Sequence, residues 1–282
     1  MKVLVTGADG QLGRELLALL HGGGHDVVGT DQVTLDVTDR GAVLQAVAGL
    51  RPDAVIHAAA WTAVDACETD LDLAFRINAL AVRHVAEASR RFGAHLCHVS
   101  TDYVFDGTKA DPYLEWDPPN PQSVYGRSKL GGELEVGPEA TLVRTSWVCG
   151  RHGANMVKTI LRLAGERDEL TFVDDQRGCP TFAADLAAKM LELVVDRRPG
   201  LFHVTNQGPV SWFEFAQEVL ASAGLDPGRV SPISTAELAP PRPAPRPANS
   251  VLDNAALRLS GVALLPDHRE PLERLVRHLR EG

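Results

Sequence analysis

The first thirteen residues constrain this chain more tightly than any other segment. A short apolar run at 3–6 reads as a strand, and Gly7-Ala8-Asp9-Gly10-Gln11-Leu12-Gly13 follows it at GxxGxxG spacing. Leu12, Leu16, Leu19 and Leu20 then share one face of a helix over 11–20. Strand, glycine turn and helix in this order open a βαβ unit. Gly7 permits a tight turn, Gly10 lets the backbone approach a pyrophosphate, and Gly13 lets the helix pack close to the sheet. The helix N-terminus offers free N–H groups and a partial positive charge to the anion. Gly7, Gly10, Gln11, Leu12 and Gly13 are therefore candidate dinucleotide-binding residues.

The pattern continues. Strands are predicted over 26–30, 53–57, 94–100 and 141–146, and helices over 42–50, 71–92 and 125–135. Such alternation predicts an α/β fold, a Rossmann-type doubly wound parallel sheet covered by helices on both faces. Beyond about 150 the pattern loosens, with helices at 155–164, 183–195, 211–223 and 269–279 and short strands at 170–173 and 201–204. The expected division is a dinucleotide-binding domain over 1–150, to which 170–205 adds further elements, and a smaller mixed α/β substrate-binding region formed by 151–169 and 206–282. The proline-rich stretch 238–249 cannot be helix or central strand. It is either a stiff connector or a loop over a substrate, with Arg242 or Arg246 reaching a phosphate.

Composition narrows the function classes. The 282 residues are 44% hydrophobic with a net charge of −9, a poor match for nucleic acid or an anionic membrane surface. The absence of an apolar run of about 18 residues and of a signal-peptide layout predicts a cytoplasmic protein. Cys67, Cys97, Cys149 and Cys179 form no CxxC pair and read as reduced, mostly buried thiols.

The second strand ends at Thr30-Asp31. An acidic side chain there accepts from the ribose hydroxyls of NAD and repels the 2′-phosphate of NADP. Asp36-Val37 could meet the adenine edge. Ala58-Ala59-Ala60, closing the third strand, is small enough for a nucleotide to lie across the sheet's carboxyl edge. Farther on, Tyr125 and Lys129 are four residues apart, hence on one helical face. A lysine ammonium one turn from a phenol favours the phenolate, which makes the tyrosine a usable proton donor. Lys129 can also hold the cofactor ribose. Thr101 closes the fourth strand, where its hydroxyl can reach a substrate oxygen.

Together GxxGxxG, the strand-end Thr101 and Tyr125-x-x-x-Lys129 resemble the extended short-chain dehydrogenase/reductase superfamily. Within it the chain is most similar to the dTDP-4-dehydrorhamnose reductase family, through segments that include 58–65, 100–107, 144–148, 175–181 and 246–250. The resemblance spans nearly the whole chain, and Thr101-Asp102-Tyr103-Val104-Phe105-Asp106-Gly107 is its most specific part. It implies reduction of the 4-keto group of a dTDP-6-deoxy-4-ketohexose by NADPH or NADH. Tyr125 would donate the proton, Lys129 tune it, and Thr101 orient the carbonyl. Thr62, Val64, Asp65 and Tyr103 would line the sugar pocket with Trp147 nearby, and Asn78 would position water or backbone. Related sugar-nucleotide dehydratases carry Asp-Glu after the threonine; here Asp102-Tyr103 follows, which argues against dehydration. The family also implies a homodimer. Some members hold a metal between subunits through glutamates. Glu15 and Glu192 would be such ligands, for Mg2+, though their simpler reading is two solvated helix residues. An epimerase or reductase for another nucleotide ketosugar, or a non-catalytic NADP-binding regulatory subunit, remain alternatives.

Overall fold

The computed structural model describes residues 1–281. The first half runs β1 (Lys2–Thr6), α1 (Gln11–Gly22), β2 (Asp26–Thr30), α2 (Arg40–Leu50), β3 (Ala54–His57), α3 (Val64–Cys67), α4 (Leu71–Phe75), α5 (Ala81–Phe92), β4 (His95–Thr101), α6 (Val124–Glu133) and β5 (Thr141–Thr145). It continues through β6 (Val148–Cys149), α7 (Met156–Glu166), β7 (Leu170–Val173), β8 (Arg177–Gly178), β9 (Thr181–Phe182), α8 (Ala183–Val195) and β10 (Gly200–His203). The last elements are β11 (Val210–Ser211), α9 (Trp212–Ser222), β12 (Val230–Ile233), α10 (Ala255–Leu259) and α11 (Arg269–Glu281).

Six strands form one parallel sheet in the order β10-β5-β4-β3-β1-β2. Its central strands are apolar on both faces, as a sheet covered on both sides requires. Val3, Val5, Ile56 and Cys97 belong to the core that α1 and α8 close, while Leu4, Val55 and Leu96 belong to the one under α2 and α5. The chain leaves β1 for β2 on one side, then returns to lay β3 on the other. The strand order therefore reverses at the carboxyl ends of β1 and β3, where open α/β sheets hold ligands.

The 170–205 stretch divides between two bodies. Helix α8 packs on α1, and β10 is the sixth strand of the sheet, whereas β7 pairs in parallel with β12. Around that pair α7, α9 and α11 enclose a second core built on Ile160, Phe215, Leu220 and Val276. Among the described residues no helix is long and apolar enough to cross a membrane. All four cysteines are buried and free.

The helix expected over 71–92 is not continuous. Helix α4 stops at Phe75, one wide π turn spans Arg76–Leu80, and α5 resumes at Ala81. Asn78 explains the break. Its buried side chain accepts from Trp61 N at 2.8 Å and donates to Trp61 O at 3.1 Å and to Ser128 Oγ at 3.0 Å. A wider turn carries an extra residue, and such turns recur at functional sites. Here it lets one side chain tie the loop after β3 to α6.

Candidate active site

The glycine turn is built by steric exclusion. Gly7 has φ of 72°, and a Cβ there would lie 2.6 Å from Ala59 N; one on Gly13 would lie 2.2 Å from Gly7 O. Only glycine allows the turn, the end of β3 and α1 to meet so closely. Gly10 caps α1 without a side-chain hydrogen bond, and no acidic residue occupies the first turn. The uncapped N–H groups and the helix dipole are left for an external anion.

Two connected clefts open along the carboxyl edge. The first, of about 680 Å³, is lined by Gly7, Gly10, Asp31, Asp36, Val37 and Ala58–Ala60, with Asp9 and Arg76 at its walls. Asp31 Oδ1 accepts from Val33 N, Thr34 N and Thr34 Oγ1 at 2.8–2.9 Å. The Thr34 bonds hold its carboxyl below the usual range. Asp36 Oδ1 is likewise held by Thr38, which lowers its pKa. In both residues Oδ1 is the oxygen that anchors the loop.

The second cleft, of about 440 Å³, shares Gly7, Gly10, Ala58 and Ala60 with the first. It adds Gln11, Leu12, Gly13, Thr62, Val64, Thr101, Tyr103, Tyr125, Lys129 and Trp147. Ser123 caps α6 by accepting from Gly126 N at 3.1 Å, which starts the helix one residue before Tyr125. Burial pushes the Tyr125 phenol well above its ordinary value, opposed by contact with the Thr101 hydroxyl. Lys129 Nζ donates to Val99 O at 2.6 Å, and burial lowers its pKa to about 8 while Glu133 acts to raise it. At neutral pH the site thus holds a protonated phenol beside a cationic amine, the starting state that proton donation to a ketone requires.

Asp65 and Arg246, both expected at the substrate, are brought together with each other. Arg246 Nη1 and Nη2 donate to Asp65 at 2.6 and 3.0 Å, and Ala244 N donates to the same carboxylate at 3.1 Å. That fork holds Asp65 below its ordinary pKa. The pair sits behind Tyr103, whose hydroxyl feels the Arg246 side chain. The proline-rich segment is therefore anchored across α3 and is not a free connector.

The structure gives Glu15 and Glu192 separate cationic partners. Glu15 is a buried partner of Arg151, with contacts of 3.1 and 2.9 Å, and Glu192 pairs with Lys189 at 2.5 Å. Glu15 is therefore not a solvated glutamate, whereas Glu192, with a side chain 46% exposed, is one. Each already has a cation, and among the described residues no group of three metal-ligating side chains exists.

Some site residues escaped the sequence reading. Trp212 lines the second cleft and stacks on Trp147 with ring centroids 3.4 Å apart and planes at 4°. Trp147 sits at φ of 46°, a strained position for an aromatic residue. The only local sign of Trp212 is the Ser211-x-x-Glu214 capping box that starts α9 at it. Arg76, on the π turn, and Thr145, opposite Thr101 on β5, were likewise unread.

A phosphate-ready glycine turn leading to Thr101, Tyr125 and Lys129 at one sheet edge is the arrangement of the extended short-chain dehydrogenase/reductase superfamily. Residues 1–281 match the family model described as RmlD substrate binding domain, and the chain belongs to that family. It is 44% identical over 278 residues to a dTDP-4-dehydrorhamnose reductase of Streptomyces griseus, covering 95% of this chain and 91% of that one. A dTDP-4-dehydrorhamnose reductase of Clostridium acetobutylicum superposes with a TM-score of 0.96 at 43% identity, over 99% of this chain and 100% of that one. One of Bacillus anthracis, solved in complex with NADP, gives 0.94 at 41%, over 98% and 99%.

Proposed function

We propose that the chain reduces the 4-keto group of dTDP-4-dehydro-L-rhamnose to give dTDP-L-rhamnose, using NADPH or NADH. The carrying observation is the convergence of Thr101, Tyr125 and Lys129 on a cleft continuous with the glycine turn. The names of the full-length relatives support the substrate, and the NADP in the Bacillus anthracis protein supports the cofactor class.

The residues present fit a nicotinamide dinucleotide. The uncapped start of α1 would take the pyrophosphate, Asp31 and Asp36 the ribose and adenine side, and Lys129 the nicotinamide ribose. When bound, it supplies the hydride to C4 of the ketosugar. Tyr125 gives its proton to the C4 oxygen. Lys129, charged below about pH 8, stabilises the phenolate left behind. Trp147 presents an apolar face to the sugar, Thr62, Val64 and Tyr103 close the pocket, and Asn78 keeps the loop at Trp61 in register with α6. Arg246 would leave Asp65, or share its charge, to meet the substrate diphosphate.

The direct test is loss of absorbance at 340 nm with NADPH, then NADH, on dTDP-4-keto-6-deoxyglucose with and without the 3,5-epimerase. Stoichiometric oxidation that depends on the epimerase is expected. No net oxidation by protein that binds either cofactor would return the chain to an epimerase or a regulatory subunit.

Cofactor choice gives a second prediction. Asp9 and Asp31 face one another at the mouth of the first cleft, where a 2′-phosphate would meet their charge. Asp31→Ala is expected to raise the NADPH/NADH ratio of kcat/KM about tenfold, roughly 1.4 kcal/mol, the scale of one like-charge contact near a surface. An unchanged ratio removes Asp31 from the ribose site. The four buried free cysteines support a cytoplasmic setting. Leu71 (49% exposed) and Phe75 (40%), one turn apart on α4, are candidate cover for the expected homodimer, to be read by sedimentation.

A further inference from the structure

The Thr101 hydroxyl has one hydrogen, and in this structure it is engaged. Thr101 Oγ1 donates to Asp102 Oδ1 at 2.9 Å and accepts from Tyr103 N at 3.2 Å. While Asp102 is a carboxylate, which has no proton to give, this hydrogen cannot also point at a ketone oxygen. The environment of Asp102 is the second observation. The residue is 2% exposed, and its Oδ2 is buried without a partner. A bare carboxylate oxygen in such a place is costly, whereas the neutral acid is far less so.

We propose that Asp102 is a positioning residue that works as the neutral carboxylic acid: protonated, it donates to Thr101 Oγ1, and the reversed hydrogen bond turns the Thr101 hydrogen towards the substrate ketone. This rests on the reductase reading above. The Asp102 proton is retained through the cycle. The transferred proton still comes from Tyr125 and the hydride from the nicotinamide cofactor, so nothing else is consumed. Thr101 supplies only a hydrogen bond to the developing alkoxide, a form of stabilisation that acts in the transition state.

The groups facing Asp102 leave it free to titrate alone. Tyr103 follows it in the chain, Tyr125 approaches from α6, Cys179 from between β8 and β9, and Ser250 from the segment before α10. Thr145 is the register neighbour of Thr101 on β5, and its Oγ1 is buried without a partner. Burial pushes Tyr103 to about 12 and Cys179 to about 11, and raises Tyr125 further still. Asp102 is pushed up to about 6 by the same burial, against the nearby Ser250 hydroxyl, whose own hydrogen goes to Arg177 O at 3.3 Å, and the Thr101 hydrogen bond. Of these groups, Asp102 is the one that changes charge between pH 5 and 7.5.

The test is kcat and KM from pH 5 to 7.5 for the wild type, Asp102→Asn and Asp102→Leu, at saturating cofactor. The wild type should lose about tenfold in kcat as pH rises through 6, the scale of a single transition-state hydrogen bond or somewhat less. KM should change little, because the hydroxyl acts on the ketone after binding. Neither variant can ionise, so both should lose this pH dependence. Asp102→Leu, with no acceptor for the Thr101 hydrogen, should exceed the wild type at pH 7.5. A step near pH 6 that persists in both variants overturns the proposal. So does a wild type without the step, or an effect confined to KM or uniform across pH.

Thermal unfolding gives a readout independent of turnover. The folded pKa lies above the unfolded value, so the wild type should gain stability relative to Asp102→Asn as pH falls from 7.5 to 5 and lose it as pH rises. A wild type that oxidises no cofactor defeats the reductase reading. Unfolding curves that stay parallel across this range defeat the titration of Asp102 itself.

Discussion

Replacing Tyr125 by phenylalanine is expected to lower kcat for ketone reduction by about 10²- to 10⁴-fold, the usual contribution of a positioned general acid. Cofactor affinity and KM should stay within a few-fold. The ring itself is packed: it is 8% exposed and meets Tyr103 edge-on with centroids 5.5 Å apart. Phenylalanine keeps those contacts and removes only the hydroxyl, so the effect reports chemistry and not collapse of the pocket. Burial holds the phenol protonated before reaction. That favours giving a proton up over taking one, the direction a reductase needs. Once the proton leaves, the phenolate depends on Lys129, whose own charge survives burial only below about pH 8. Single-turnover decay of NADPH absorbance isolates the step. A Tyr125→Phe protein that turns over within threefold of the wild type would require another proton donor, and Thr101 with Asp102 would be the first place to look.

Legibility in the sequence followed interaction range. Gly7, Gly10 and Gly13 act within one turn of chain, and Tyr125 and Lys129 within one turn of helix, so spacing alone placed them on the cleft that the structure shows. The alternation of strands and helices is also local, and the six-stranded sheet follows it. Long-range pairings carried no local signal. Asp65 and Arg246 lie 181 positions apart, and nothing in either segment shows that the carboxylate receives the guanidinium. Glu15 read as a solvated residue or a metal ligand because Arg151, 136 positions away, was invisible from its helix. The break at Arg76–Leu80 arises from contacts of Asn78 with residues 17 and 50 positions away. Apolar periodicity through 71–92 could not report it. Asp102 was legible only as part of the Thr101–Gly107 segment, the departure from the dehydratase pattern being Tyr103 in place of its glutamate. The chemical character of Asp102 comes from burial, which depends on Ser250 and Cys179 arriving from elsewhere.

Glu133→Gln is expected to be the most destabilising conservative change near the site, by roughly 3–5 kcal/mol. Glu133 and Arg144 have side chains only 5% and 4% exposed. The carboxylate takes Arg144 Nε at 2.9 Å, Arg144 Nη2 at 2.6 Å and Ser100 Oγ at 2.5 Å. This joins α6 to β4 and β5 directly beneath Lys129. The guanidinium lies 5.1 Å over the Phe105 ring, and its Nη1 has no hydrogen-bond partner. It depends on Glu133 for neutralisation. An amide in place of the carboxylate leaves a buried, uncompensated cation. At the ~2–4 °C per kcal/mol typical of chains approaching this size, Tm should fall on the order of 10 °C. A second change separates the charge from the packing: Glu133→Leu combined with Arg144→Met removes both ions and fills similar volume, so it should recover most of the loss, because desolvation largely offsets the attraction in a buried pair. Lys129 supplies the functional echo, since Glu133 is the anion that raises its pKa. Without it the amine should lose its proton at lower pH, drawing the alkaline fall in kcat towards neutrality. Unfolding curves of the two variants decide the matter: a Glu133→Gln protein within 1 kcal/mol of the wild type, or a double variant no better than the single, would mean that the ion pair does not hold α6 to the sheet.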